Sequence, residues 1–203
     1  MVRTRGGFRS KFRVGSSGGI DMAERVCPWW IGYLLVSPVR RLFEKPEEVL
    51  APHLKSGVTA MDVGCGMGYF SLPMARFVGP SGRIVCVDLQ ERMLRSLRRR
   101  ASRAGLSDRI ETRACSASSL GVQDLEGKVD FALTFAVVHE VPDAAGLLAQ
   151  IHDVLVPGGR LLIAEPRGHV SKQALEETAA AAEKAGLSII ERPAIKKSAE
   201  VFM

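Results

Sequence analysis

The feature that most constrains the fold is a glycine-rich loop that directly follows a short apolar run. Residues 58–63 read Val-Thr-Ala-Met-Asp-Val, which is typical of a buried strand, and glycines follow at positions 64, 66 and 68. Glycine lets the backbone turn sharply, and it lets a ligand approach main-chain N–H groups without a Cβ in the way. The loop therefore predicts a strand–turn–helix unit with a ligand at the turn.

The rest of the chain alternates between strand and helix patterns. Strands are predicted over residues 58–63, 83–88, 109–114, 129–135, 160–164 and 188–191, with a seventh in the last residues up to 203. Helices are predicted over residues 46–54, 69–78, 91–105, 143–156 and 171–185. This alternation predicts an α/β fold, a doubly wound and mainly parallel seven-stranded sheet with helices on both faces and a short or truncated last strand. Ligands of such sheets bind at the carboxyl ends of the strands.

The positive charge of the chain is concentrated at its N-terminus. The net charge is +6, and residues 1–20 contain five basic and no acidic side chains: Arg3, Arg5, Arg9, Lys11 and Arg13. Because this segment is also rich in glycine, we predict a disordered basic tail over residues 1–21, with Met22 as an alternative start. The chain after residue 20 holds the remaining 23 basic residues and all 22 acidic ones, so it is nearly neutral. Residues 46–203 are predicted to form one domain.

Cysteine usage and hydropathy exclude several classes of protein. The four cysteines form no C-x-x-C pair, which argues against a disulfide scaffold or a zinc ribbon and favours a reducing, cytoplasmic location. The N-terminus has no apolar signal-peptide core, and no apolar run reaches the roughly 18 residues of a membrane span. No ligand spacing predicts a metal site.

Two acidic residues flank the glycine loop in the predicted sheet. Asp62 ends the first strand and Asp88 ends the second, where a carboxylate can accept hydrogen bonds from ribose hydroxyls. Because Tyr69 stands where a dinucleotide-binding loop requires glycine, and no Gly-Lys-Ser/Thr follows, the loop lacks a pyrophosphate or Walker signature. The pattern predicts an adenosine-type ligand. The structural alternative is a tight turn with Asp88 as a helix N-cap.

Four motifs together resemble class I S-adenosylmethionine-dependent methyltransferases, over about residues 46–200. They are residues 62–70 (Asp-Val-Gly-Cys-Gly-Met-Gly-Tyr-Phe), residues 85–88 (Val-Cys-Val-Asp), residues 129–135 with 138–143 (Val-Asp-Phe-Ala-Leu-Thr-Phe, then Val-His-Glu-Val-Pro-Asp), and residues 155–163 before the fifth strand. The resemblance implies a Rossmann-like sheet, with S-adenosyl-L-methionine as cofactor and S-adenosyl-L-homocysteine as product.

The resemblance also implies roles for matched positions. The cofactor-binding residues would be Asp62, Gly64, Cys65, Gly66, Gly68, Tyr69, Asp88, Leu89, Met93, Cys115, Ser116 and Phe135. Among them, Asp62 would face the methionine amino group, Asp88 would bind the ribose, and Leu89 would pack on the adenine. Cys115 departs from the family pattern, because an acid that contacts the adenine amino group is typical there. Adenine recognition would then depend on backbone groups and Ser116.

Candidate catalytic residues lie in the loops after the fourth and fifth strands. His139, Glu140 and His169 are candidates for a general base, which methyl transfer requires only when the acceptor must lose a proton. Glu165 is a candidate substrate-binding residue. The structural alternative for His139 is a hydrogen bond that holds its loop.

An aromatic segment precedes the predicted domain. Residues 22–45 match no cofactor motif, and we predict that they form a lid in which Trp29, Trp30 and Tyr33 contact an apolar or aromatic substrate. Two alternatives remain: these residues cover a face of the sheet as core residues, or they lie on a membrane surface.

The sequence therefore predicts an enzyme that transfers a methyl group from S-adenosylmethionine to a small, apolar or aromatic acceptor. The loop over residues 139–143 is similar to that of quinone-biosynthesis C-methyltransferases. The alternatives are a methyltransferase that acts on RNA or protein, and a non-catalytic cofactor-binding module. The Arg-rich helix over residues 91–105 is interpreted as a solvated surface rather than a phosphate-binding face, which argues against a nucleic-acid partner. An incomplete last strand would be consistent with a homodimer.

Overall fold

The computed structural model describes residues 45–165, 170–193 and 198–202. The predicted basic tail and nearly all of the predicted lid segment lie outside these ranges. So do four of the candidate site residues, Trp29, Trp30, Tyr33 and His169. No helix in the described ranges is long and apolar enough to cross a membrane.

The described chain alternates strands and helices in the predicted order. The strands are β1 (Thr59–Val63), β2 (Arg83–Asp88), β3 (Ile110–Ala114), β4 (Val129–Phe135), β5 (Leu155–Glu165), β6 (Ile189–Glu191) and β7 (Ser198–Phe202). The helices are α1 (Pro46–Leu50), α2 (Ser71–Phe77), α3 (Glu91–Arg103), α4 (Ala144–Val154) and α5 (Lys172–Lys184). Short 3₁₀ turns lie at Ser107–Arg109, Gln123–Leu125 and Val138–Glu140.

The strands form one sheet in the order β3-β2-β1-β4-β5-β7-β6. The neighbours from β3 to β5 are parallel, whereas β7 is antiparallel to both β5 and β6. The parallel body of the sheet therefore has five strands, and β7 and β6 form an antiparallel end. The predicted α/β fold class is confirmed.

Helices cover both faces of the sheet because successive strand residues point to opposite sides. Ile84 and Cys86 of β2 lie in one apolar cluster with Leu94 and Leu97 of α3. Val85 and Val87, which alternate with them along β2, lie in a second apolar cluster with residues of α4. The side chains of both faces are fully buried along the middle of β2, as a parallel sheet requires.

The structure corrects two predicted boundaries. Helix α1 ends at Leu50 rather than at residue 54, and β5 begins at Leu155 rather than at residue 160. The Pro-Gly-Gly sequence at residues 157–159, between the predicted helix and the predicted strand, lies within β5. Leu155 pairs with Val129 of β4, and a register shift between Val129 and Phe131 accommodates the irregular backbone.

Candidate active site

The three glycines after β1 all adopt the left-handed conformation that disfavours other residues. Their φ angles are +68° at Gly64, +54° at Gly66 and +82° at Gly68. A Cβ at Gly64 would lie 2.3 Å from Val137, and one at Gly68 would lie 2.3 Å from Leu97. A Cβ at Gly66 would meet no atom within 4 Å. The loop is therefore packed at both ends and open at its middle, where a ligand can approach the backbone.

Asp88 fixes the open part of this loop. One carboxylate oxygen accepts a 2.8 Å hydrogen bond from the Gly66 N–H, and the other accepts a 2.7 Å bond from the Gln90 N–H. Burial raises the pKa of Asp88, and these two N–H donors oppose that shift. Gln90, rather than Asp88, occupies the N-cap position of α3. Each oxygen can accept a further hydrogen bond, so the carboxylate can hold the loop and accept hydrogen bonds from a ligand at the same time.

Leu89 follows Asp88 and is unusually exposed for an apolar side chain. It is 43% exposed, and among the described residues only Leu89 and Ile190 are large, exposed hydrophobic residues. Because it directly follows Asp88, this apolar side chain is exposed at the carboxyl edge of the sheet. Met93, one turn further along α3, is buried at 4% exposure and does not share this surface.

Asp62 faces the interior rather than the mouth of the loop. It is 3% exposed, and it accepts a 2.5 Å hydrogen bond from the Ser71 hydroxyl at the start of α2. Burial raises the pKa of Asp62 to about 7, and the negative charge of Asp88 acts in the same direction. Sequence reasoning missed Ser71, although a serine at the first position of the helix after the loop was a visible signal.

Three other predicted cofactor residues direct their side chains into the core. Cys65 and Tyr69 are buried, and Phe135 packs on Phe70 with ring centroids 4.2 Å apart. Burial raises the pKa of the Cys65 thiol well above its ordinary value, and the neighbouring Cys86 thiol acts in the same direction. These side chains therefore form part of the apolar core beneath the loop.

The turn after β3 lies at the same edge of the sheet. The Cys115 N–H donates a 3.1 Å hydrogen bond to the Asp88 carbonyl, which joins the ends of β2 and β3. Burial raises the pKa of the Cys115 thiol to about 11, so the thiol is neutral at physiological pH. The exposed Ser116 hydroxyl accepts a 3.1 Å bond from the Ser119 N–H. Cys115 thus lies beside Asp88, and Ser116 follows it in the turn after β3.

The chain leaves β4 through a strained residue that directs it over the glycine loop. Ala136 has a φ of +59°, the only positive φ at a non-glycine residue in the described chain. Its N–H donates a 2.7 Å hydrogen bond to the Ala164 carbonyl of β5. Val137 then packs against Gly64, where any Cβ would clash with it. The segment that carries His139 is therefore held beside the predicted cofactor loop.

Glu165 and His139 form a hydrogen-bonded pair beneath this segment. Glu165 is fully buried, and its Oε2 lies 2.6 Å from the His139 Nδ1. Its Oε1 accepts a 2.9 Å hydrogen bond from the Val138 N–H and a longer one, of 3.4 Å, from the His139 N–H. Glu165, the candidate substrate-binding residue, thus has no exposed surface, and its carboxylate orients the histidine and its turn.

His139 presents its other ring nitrogen away from Glu165. Its side chain is 27% exposed, and its Nε2 has no hydrogen-bond partner among the described residues. A histidine with one nitrogen anchored by a carboxylate and the other free is the arrangement of a general base. Glu140 follows on the same turn and is half-buried.

Comparison with known proteins identifies the family of the chain. Residues 54–198 match the family model described as a methyltransferase domain. The chain belongs to the class I S-adenosylmethionine-dependent methyltransferases. S-adenosylmethionine is the cofactor of this family, and the open glycine loop with Asp88 and Leu89 at its side fits an adenosine-containing ligand.

Similar proteins support this assignment at the level of the domain. The chain is 31% identical over 112 residues to the ubiquinone/menaquinone biosynthesis C-methyltransferase UbiE of Hahella chejuensis, covering 55% of this chain and 44% of that protein. It is 36% identical over 112 residues to an uncharacterized 37.1 kDa protein in transposon TN4556 of Streptomyces fradiae, covering 55% of this chain and 31% of that protein. The matches thus span less than half of either relative.

A solved structure shows the same fold. The SAM-dependent methyltransferase from Aquifex aeolicus superposes with a TM-score of 0.76 at 22% identity, covering 87% of this chain and 97% of that one. At this identity the likeness concerns the fold.

Proposed function

We propose that this protein binds S-adenosylmethionine at the carboxyl edge of its sheet and transfers the methyl group to a small, apolar or aromatic acceptor. The observation that carries the proposal is the glycine loop, which is open at Gly66 and fixed there by the Asp88 carboxylate. The identity of the cofactor is inferred from the family, and the open loop beside Asp88 has room for it.

Three residues would make the main contacts with the cofactor. The backbone at Gly66 allows close approach because no neighbouring atom fills the space that a side chain would occupy. The remaining lone pairs of Asp88 would accept hydrogen bonds from the ribose hydroxyls. The exposed Leu89 side chain would pack on the adenine ring. Ser116, in the turn after β3, would add a hydroxyl near that ring.

The cofactor, when bound, supplies a methyl group on a positively charged sulfonium that is already activated for in-line displacement. The protein then has to align the acceptor and exclude water. When the acceptor must lose a proton, His139 would accept it at Nε2. Glu165 would hold the ring by Nδ1 and would stabilise the imidazolium that forms, because its carboxylate lies at hydrogen-bond distance.

The class of acceptor is inferred from the relatives. Several matched proteins are named as C-methyltransferases of ubiquinone or menaquinone biosynthesis, or as demethylmenaquinone methyltransferases. These names support a small apolar or aromatic acceptor for this chain also. The aromatic residues Trp29, Trp30 and Tyr33 would contribute to its binding, as predicted from the sequence.

Methyl transfer to a panel of small phenols, naphthols and hydroquinones tests this function. We expect radiolabelled S-adenosylmethionine to label at least one acceptor, and we expect His139→Ala to reduce kcat at least about 100-fold without weakening cofactor binding. His152→Ala is the matched control, because His152 lies on α4 and contacts Asp153 rather than the site. A labelling rate in His139→Ala equal to that of the native protein would exclude His139 as the base. Labelling of none of these acceptors would contradict the proposed acceptor class.

A further inference from the structure

The outer face of α3 carries a line of arginines. Leu94, Leu97 and Ala101 bury the inner face of this helix against the sheet. With 100° of rotation per residue, the opposite face is occupied by four arginines, here named the arginine stripe: Arg92, Arg95, Arg99 and Arg103. All four belong to exposed positions of the helix.

Three arginines of the stripe lack counter-charges among the residues that the structure describes. Arg98, on the flank of the helix, forms an ion pair with Glu91 at 2.5 Å. Glu91 is the only acidic residue of α3. Arg95, Arg99 and Arg103, by contrast, make no hydrogen bond or ion pair with any residue that the structure describes. Like charges four residues apart on a helix repel each other. An ordinary solvated helix would alternate acids and bases, so this face is suited to an external polyanion.

The sequence alone favours a solvated surface for this helix, but Arg95, Arg99 and Arg103 have no partner among the described residues. We therefore propose that the arginine stripe docks the phosphate backbone of a nucleic acid. Successive arginines four residues apart are separated by about 6 Å along the helix axis, which makes a narrow, linear row of positive charge. Guanidinium groups bind phosphate oxygens in a bidentate manner. A helix that lies on a lipid surface would instead combine its basic residues with an apolar face. Here the neighbours of the stripe on that side are Ser96 and Ser102, and the apolar face is buried.

The helix that carries the stripe also supports the glycine loop. Leu97 packs against Gly68, and the Arg100 guanidinium donates a hydrogen bond to the Met67 carbonyl. A nucleic-acid strand on the stripe would therefore lie along the helix that holds this loop. The docking surface depends on none of the residues assigned to cofactor binding or methyl transfer, so it can be tested separately from the proposed function.

Fluorescence anisotropy of a labelled 20-nucleotide oligothymidylate measures the binding of a nucleic acid to the chain directly. The full chain is titrated between 50 and 200 mM NaCl, and the salt dependence of the binding constant is compared with that of R95Q/R99Q/R103Q. Because each phosphate contact on a single strand contributes about 0.7 to the logarithmic salt slope, we expect the slope to fall by about two. The matched control, K55Q/K172Q/K184Q, removes the same charge from exposed lysines elsewhere and should retain the slope.

Both variants keep the basic residues before position 21, so any contribution from these residues is common to the comparison. Thermal unfolding verifies that each variant is folded. If the triple variant is unfolded, Arg99→Gln replaces it, and we expect this single change to lower the logarithmic salt slope by about 0.7. An equal slope in the stripe and control variants would overturn the proposal. Stripe-dependent sedimentation with phosphatidylglycerol vesicles, without stripe-dependent binding to the oligonucleotide, would also overturn it and would identify a lipid surface instead.

Discussion

Glu165 Oε2 lies 2.6 Å from His139 Nδ1, and this contact joins the ends of the fourth and fifth strands. The same carboxylate accepts the Val138 N–H, so one buried side chain fixes both the turn and the ring that it carries. Because Ala136 and Val137 hold this turn against Gly64, the histidine is positioned relative to the glycine loop. The pair therefore connects the proposed catalytic residue to the proposed cofactor site.

Replacement of Glu165 by Gln should weaken both the fold and the alignment of His139. A glutamine cannot accept all three of these bonds as a charged group, so we expect a loss of about 1–3 kcal/mol in the free energy of unfolding. We also expect kcat to fall at least tenfold with an unchanged KM for S-adenosylmethionine, because Glu165 orients a residue that does not bind the cofactor. Chemical denaturation and steady-state kinetics measure the two effects. Glu176→Gln, an exposed change on α5, is the control, and equal stability of the two variants would contradict the assignment.

The glycine loop offers a comparison between two alanine substitutions. Both Gly64→Ala and Gly66→Ala introduce a side chain at a positive φ, which costs about 1–2 kcal/mol. Only Gly64→Ala also forces a Cβ to within 2.3 Å of Val137, so we expect it to lower the thermal midpoint further. Differential scanning calorimetry measures the difference.

Val137→Ala tests the physical cause of that difference. Truncation of Val137 removes the atoms with which the new Cβ would collide, so the double variant G64A/V137A should recover part of the stability that Gly64→Ala loses. The same Val137 substitution should not rescue Gly66→Ala, since Gly66 has no neighbour within 4 Å. Additive effects of Gly64→Ala and Val137→Ala would contradict the close packing of the two segments.

Asp62 should make stability depend on pH in the direction opposite to that of an ordinary carboxylate. Burial raises its pKa from 3.8 to about 7, so between these values the folded chain retains a proton that the unfolded chain has released. Its contribution to stability is therefore present at low pH and is lost as the pH rises through about 7. Asp62→Asn removes this loss, so the thermal midpoint of the variant relative to the native protein should be higher at pH 8 than at pH 5. An unchanged difference between the two pH values would contradict the shift.

The sequence predicted the elements whose limits are determined locally. The predicted limits of β2 and β4 agree with the structure at both ends. The start of each strand is marked locally, because Gly82 precedes β2 and Lys128 precedes β4. The glycine loop and Asp88 were also placed at the correct edge, since carboxyl ends of parallel strands meet there.

The direction of individual side chains could not be predicted in the same way. Glu165 is buried because the turn after β4, 26 residues earlier in the chain, supplies N–H donors to it. Asp62 turns inward because Ser71 satisfies it, and Phe135 is buried by Phe70. Each outcome depends on a contact between separate segments, and strand–helix periodicity carries no information on such contacts.

Asp88 provides the most specific test of the cofactor geometry. Asp88→Ala removes a charged hydrogen-bond acceptor and also releases the Gly66 N–H that fixes the loop. We expect the affinity for S-adenosylmethionine to fall by about 1–3 kcal/mol, or roughly 5- to 150-fold. Asp108→Ala, at an exposed position before β3, is the control that should bind normally.

Calorimetric titration of the full chain with S-adenosylmethionine, and separately with NAD, measures whether the glycine loop is the cofactor site. We expect micromolar binding of S-adenosylmethionine, weakened in Asp88→Ala, and no binding of NAD because the loop lacks the dinucleotide spacing. Failure to bind S-adenosylmethionine, or equal affinity in the native protein and Asp88→Ala, would contradict the assignment of this glycine loop as the cofactor site.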